Sequence, residues 1–186
     1  MFERIAAKLV ESETISAEDK ELYEYGLKQA ANTALNIATT LVVGFIFGMV
    51  WQSVLFMAAY IPLRSYAGGY HAGTPLKCYI FSVVLTVCAI SGIRFIPDSN
   101  ILIGALAFAA SAVIFAAAPL GDKNKPLDEI EVKVFKRRTR IILFTEIISA
   151  GIFMFAGLAW ISVCVVVSMT VAGIMLAVGV VKNKLS

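Results

Sequence analysis

The sequence predicts an all-α, polytopic membrane bundle, and three observations predict it. Hydrophobic residues fill 59% and charged residues only 16% of the 186 positions, the mean hydropathy is +0.83, and the apolar residues fall in long continuous runs without period-two alternation. A soluble domain has no interior large enough for so much apolar surface. The missing alternation favours helices over a membrane barrel as the way the backbone satisfies its polar groups.

From the N-terminus, residues 1–12 carry acidic groups and no uninterrupted apolar core, which argues against a cleaved signal. Phe2, Ile5 and Leu9 fall on one helical face, predicting a short amphipathic helix lying on the membrane surface. Ser16 and Asp19 have the spacing of a weak capping box for a second helix that continues into the first span. Six spans follow, at 30–50, 51–63, 79–96, 101–119, 141–157 and 160–181. The second covers about 20 Å, so it is short or re-entrant unless the stretch to Tyr70 also dips into the membrane. The last two share one apolar run, with a turn near Gly157. Six crossings put both termini on one side, where 15 of the 16 Lys and Arg residues collect, leaving Arg94 opposite. The positive-inside rule makes that side the cytoplasm. Residues 1–186 therefore read as a single membrane domain.

Cys78, Cys88 and Cys164 have no paired spacing, and the chain has one histidine. Neither a disulfide framework nor a metal site is expected, and no cofactor is called for. A net charge of +3, with the cations explained by topology, also disfavours nucleic-acid binding.

The chemistry concentrates between the second and third spans, where residues 64–78 contain three glycines and a proline that break any continuous helix. Thr74 followed by Pro75 is a helix start, with threonine at the N-cap and proline at the first helical position. Cys78 then sits in the first turn, where the helix dipole and Lys77 favour thiolate over thiol. His71, seven residues earlier, would supply the imidazole of a Cys–His nucleophile, provided the loop is wet; taken singly, a cysteine at a helix start also reads as a small apolar filler and a loop histidine as a solvated side chain. Arg64 can orient the loop, bind a substrate carboxylate or anchor the second span at the headgroups; Gly69 reads as a backbone requirement.

Arg64, Gly69, His71 and Cys78 match the pattern R-x4-G-x-H-x6-C, and with the later stretch from Ala118 and Pro119 through Asn124, Lys125, Pro126 and Leu127 they resemble the accessory gene regulator protein B (AgrB) family of bacterial membrane peptidases. The resemblance extends to chain length and segment order. It implies a substrate, the AgrD-like propeptide of a quorum-sensing signal, cut on the C-terminal side of the signal segment. It also implies His71 as base then acid, Cys78 as nucleophile, an acyl-enzyme thioester, release as a cyclic thiolactone or lactone, and a homodimer in the bacterial cell membrane.

Lys133, Lys136, Arg137, Arg138 and Arg140 form a basic loop without acidic residues. It reads as an anchor on anionic membrane lipid, or as the dock for an acidic propeptide tail that the resemblance suggests. Glu146, about two turns into the fifth span, is expensive in lipid unless paired, protonated or facing water. Its expected partners are Arg64 or the basic loop, with snorkelling to the interface as the alternative. The competing function is a non-enzymatic transporter or exporter of a small peptide, using Glu146 and the interrupted helices as its path; a membrane scaffold ranks third.

Overall fold

The computed structural model describes residues 1–70, 74–97, 99–121 and 127–185. Among them are seven helices and no named strand: α1 (Phe2–Glu11), α2 (Lys20–Ile46), α3 (Val50–Ala67), α4 (Pro75–Phe95), α5 (Asn100–Ala117), α6 (Glu129–Phe155) and α7 (Ala159–Leu185). The expected all-helical bundle is what the chain forms. It divides into two compact units, 1–40 and 41–186, with α2 running across the boundary.

In the first unit, α1 is the short helix expected at the N-terminus. Ahead of α2, the Asp19 amide donates to Ser16 Oγ at 3.2 Å, while the serine hydroxyl itself donates to Asp19 Oδ2 at 2.7 Å. The serine thus uses its proton on the carboxylate, and only half of a reciprocal capping box forms. Lys28 and Glu24 make an i,i+4 ion pair at 2.6 Å along α2.

In the second unit, α7 is the central element and packs against α3, α4, α5 and α6. Of its most apolar 18-residue stretch 72% is buried, against 22% for α4 and 17% for α5. Residues 163–169 are buried without a break, from Val163 through Cys164 and Ser168 to Met169, so the helix is enclosed on every side. Small residues permit this enclosure, because without a hydrophobic drive in lipid, helices associate through close packing. At Gly173 an added Cβ would lie 3.6 Å from Ala110, an ordinary contact with α5. The surrounding helices turn Phe95, Ile101, Phe108, Phe144, Ile148 and Phe155 outward, an apolar coat suited to hydrocarbon rather than water.

Four helices, α2, α4, α5 and α7, are long and apolar enough to cross a membrane on their own. The other two expected spans have different limits from the predicted ones. The short run at 51–63 belongs to α3, whose 18 residues form one unbroken helix of about 27 Å that carries Arg64 in its last turn. The run at 141–157 is the second half of α6, a 27-residue helix that starts at Glu129. The basic loop is therefore a basic helix: Asp128 caps the N-terminus by accepting from the Glu131 amide at 2.6 Å, and Glu131 accepts from the Asp128 amide at 3.2 Å. This capping box fixes the start twelve residues before the apolar segment. The α6–α7 turn lies at Gly157 as expected; Leu158 N–H donates to Phe153 O at 2.9 Å and Gly157 N–H to Met154 O at 3.2 Å, a Schellman closure.

Candidate active site at one end of the bundle

The motif begins in the last turn of α3. Beyond it, Gly68 and Gly69 take φ values of +75° and +131°, backbone that a side chain disfavours. Both are also hemmed in: a Cβ on Gly68 would collide with the Leu120 backbone, and one on Gly69 would come within 3.2 Å of Arg64 and of the Met175 backbone. Two long-range hydrogen bonds and one local one hold this turn. Leu120 N–H donates to Ala67 O at 2.9 Å, Tyr70 N–H donates to Met175 O at 2.9 Å, and Arg64 Nη2 donates to Tyr70 O at 2.8 Å. Arg64 also reaches the Tyr60 hydroxyl. Arg64 thus lies against the backbone at the end of this turn.

The other flank is held by local geometry. Thr74 is the N-cap of α4, its Oγ1 accepting from Lys77 N–H at 3.3 Å, and Cys78 N–H donates to Thr74 O at 3.0 Å. The helix start deduced from Thr74 and Pro75 is present, and it sets half-buried Cys78 in the first turn. One ring contact joins the flanks. The Tyr70 ring packs on Phe81, one turn beyond Cys78, with centroids 5.3 Å apart. His71 lies outside the described residues, as do Asp122 to Pro126, including Asn124, Lys125 and Pro126 of the family-like stretch. Of the other cysteines, Cys88 is exposed and Cys164 buried.

The basic residues divide into two groups. Lys133, Lys136, Arg137 and Arg140 line an open cavity of about 560 Å³ with Ile141 and Phe144, all on one side of α6. Arg138 instead turns to α3, where its Nη1 donates to the Tyr66 hydroxyl at 2.8 Å and its guanidinium lies 5.1 Å from the ring centre. Tyr66 also meets Phe135 edge-on at 5.6 Å. Arg140 stacks 4.3 Å from the Phe115 ring centre on α5. Arg138 and Arg140 thus brace the bundle, leaving Lys133, Lys136 and Arg137 as the cations most available to a ligand.

Glu146 departs from expectation. It is 6% exposed, and neither carboxylate oxygen has a hydrogen-bond partner among the described residues. Snorkelling is excluded by that burial, and no bond to Arg64 or to the basic segment forms. It shares an inward face with Thr139, Leu143 and Ala150, four buried residues at helical spacing.

Sequence reasoning does not find Tyr60, Tyr66, Phe81 and Met175, which build this end of the bundle. Met175 follows Tyr70 by more than a hundred residues and acts through its backbone carbonyl, so no side-chain pattern marks it. No group of three or more metal-ligating side chains occurs among the described residues.

Comparison with known proteins adds a likeness over most of the chain. A family model described as "Accessory gene regulator B" matches residues 2–176. A Clostridium perfringens protein named "Putative AgrB-like protein" is 27% identical over 159 residues, covering 77% of this chain and 72% of its own length. Proteins of the same name from Listeria monocytogenes and Listeria welshimeri are 29% and 30% identical over 146 residues, each covering 76% of this chain and 71% of theirs. No solved structure matches the chain.

Proposed function

Since the chain belongs to the accessory gene regulator B family, a multi-pass membrane family of quorum-sensing peptide processing, we propose that it is a cysteine endopeptidase that cuts a signal propeptide on the C-terminal side of the signal segment. The observation that carries this is the packing of Tyr70 on Phe81. It holds the residue before His71 against the helix that presents Cys78.

In the proposed reaction His71 takes the Cys78 proton, and the thiolate attacks the scissile carbonyl. A C–S bond forms, and the C–N bond breaks as His71 returns the proton to the departing amine. The C-terminal tail leaves, and the signal segment remains as a thioester on Cys78. A thiol or hydroxyl within the peptide then attacks that carbonyl, closing a thiolactone or lactone and restoring the Cys78 thiol. Thioester exchange is nearly isoenergetic, and an intramolecular nucleophile has a high effective concentration. Exclusion of water at the membrane edge suppresses hydrolysis.

The further partners proposed are an acidic propeptide tail on Lys133, Lys136 and Arg137, anionic lipid around the same end, and a second copy of the chain. That end, which gathers Arg64, Arg138 and Lys182, is assigned to the cytoplasm with both termini, by the positive-inside rule.

Co-expression with a short propeptide encoded beside the gene tests the peptidase. His71→Ala and Cys78→Ala are each expected to abolish cleavage, while Cys88→Ala and Cys164→Ala retain it. Cleavage that survives Cys78→Ala ends the proposal. Gln at Lys133, Lys136 and Arg137 together is expected to weaken processing more at low salt than at high salt, since exposed charges are screened. Unchanged processing removes the tail dock.

A second reading, peptide export without cleavage, draws on Glu146, the buried carboxylate with no bond to a described neighbour. In that case Glu146→Gln stops export while Cys78→Ala has no effect.

A further inference from the structure

The last three turns of α7 touch both loops at the motif end, and they do so along one face. Met175, Gly179 and Asn183 follow each other at four-residue spacing, which stacks them on a helix, and Lys182 borders the same strip. Met175 O accepts from Tyr70 N–H at 2.9 Å. Asn183 Nδ2 donates to Gly121 O at 3.1 Å. The Lys182 ammonium lies 5.2 Å from the centre of the Tyr70 ring. Between them is Gly179, where an added Cβ would come within 2.6 Å of Leu120 Cδ2, 2.9 Å of Tyr70 N and 3.0 Å of Gly69 C. Two of these three neighbours are backbone, which a rotamer change cannot move. The missing side chain lets the 69–70 segment lie against the helix and reach the Met175 carbonyl. Gly179, Lys182 and Asn183 lie beyond residue 176, where the family match ends.

We propose that Gly179 and Asn183 are positioning residues for the peptidase, fixing the segment immediately before His71 and the loop at 120–121 against the C-terminal turns of α7. The proposal rests on the Cys78–His71 reading. It makes the end of α7 part of what positions the chain leading into His71. Gly179 acts by admitting the backbone and Asn183 by holding the second loop, which the Leu120–Ala67 hydrogen bond ties to the first. A displacement of about 1 Å at a reacting group can cost about 10²-fold in rate, and a side chain at position 179 demands a shift of comparable size.

The test uses the full chain in lipid nanodiscs, with Cys88→Ala and Cys164→Ala leaving Cys78 as its single thiol. Alkylation of Cys78 by N-ethylmaleimide is followed from about pH 6 to about pH 9, because the thiolate is the reacting form; no propeptide is needed. Gly179→Val is expected to slow alkylation near neutral pH about tenfold and to bring the pH profile onto that of His71→Ala. Asn183→Ala adds no bulk and is expected to move the profile the same way by a smaller factor, which keeps the test open should Gly179→Val misfold. Gly173→Ala, whose new methyl meets α5 at ordinary distance, is expected to match the parent. If the profile responds to His71→Ala while Gly179→Val and Asn183→Ala both keep the parent profile, the positioning role is overturned and the peptidase stands. If the profile ignores His71→Ala, the dyad falls and this inference falls with it.

Discussion

The two flanks of the motif are built in opposite ways. From Arg64 to Tyr70 the chain is held by distant parts of the molecule: Leu120 bonds to Ala67, Met175 to Tyr70, and Gly69 is buried against the α7 backbone. From Thr74 to Cys78 it is held by its own helix start, with Thr74, Leu76 and Lys77 exposed and a cap made within four residues. The first flank can move only if neighbouring helices move. The second carries its own cap and meets the first through the Tyr70–Phe81 contact. The residue proposed as nucleophile thus lies on the locally capped side, and the residue proposed as base follows the side held by distant contacts.

Substitutions on each flank can break or sharpen this contrast. The largest effect is expected from Gly69→Val, which forces a branched side chain into positive φ and against the Met175 backbone; backbone strain of this kind costs about 1–3 kcal/mol, and the contact adds to it. A large fall in the midpoint of detergent-induced unfolding, together with loss of processing, is the expected outcome. Thr74→Ala removes one cap and should cost about 1 kcal/mol, seen as a modest fall in the same midpoint with slowed but continuing cleavage. Were Thr74→Ala the more damaging of the two, the division into a tertiary flank and a local flank would be wrong.

What could be read from the sequence follows the same division. The Thr74-Pro75 helix start and the turn at Gly157 are local, and each lies where composition and spacing put it; the apolar runs mark the helices but not their limits, since α3 and α6 extend beyond theirs. The basic run is a helix because Asp128 and Glu131 form a capping box; that spacing is visible in the sequence, but the density of charge suggests a loop. Which helix lies at the centre could not be read, since the apolar runs resemble one another; only the small residues Ser162, Ser168, Gly173 and Gly179 hint at the close packing of α7. The contacts of Arg64 were beyond reach for a stronger reason. Its role depends on a turn that Met175 and Leu120 hold from far along the chain. For Glu146 the cost of placing a carboxylate in the membrane was legible, whereas its lack of a hydrogen-bond partner among the described residues depends on how α6 packs in the bundle.

The grip of Asn183 on Gly121 bears on how the protein can be handled. A fluorescent reporter or affinity handle joined close behind that residue would load the same helical turns that brace the loops, so a labelled preparation could lose turnover while remaining folded and correctly inserted. A long, uncharged spacer after the final residue, or attachment elsewhere on the chain, would keep the handle from acting as a mutation.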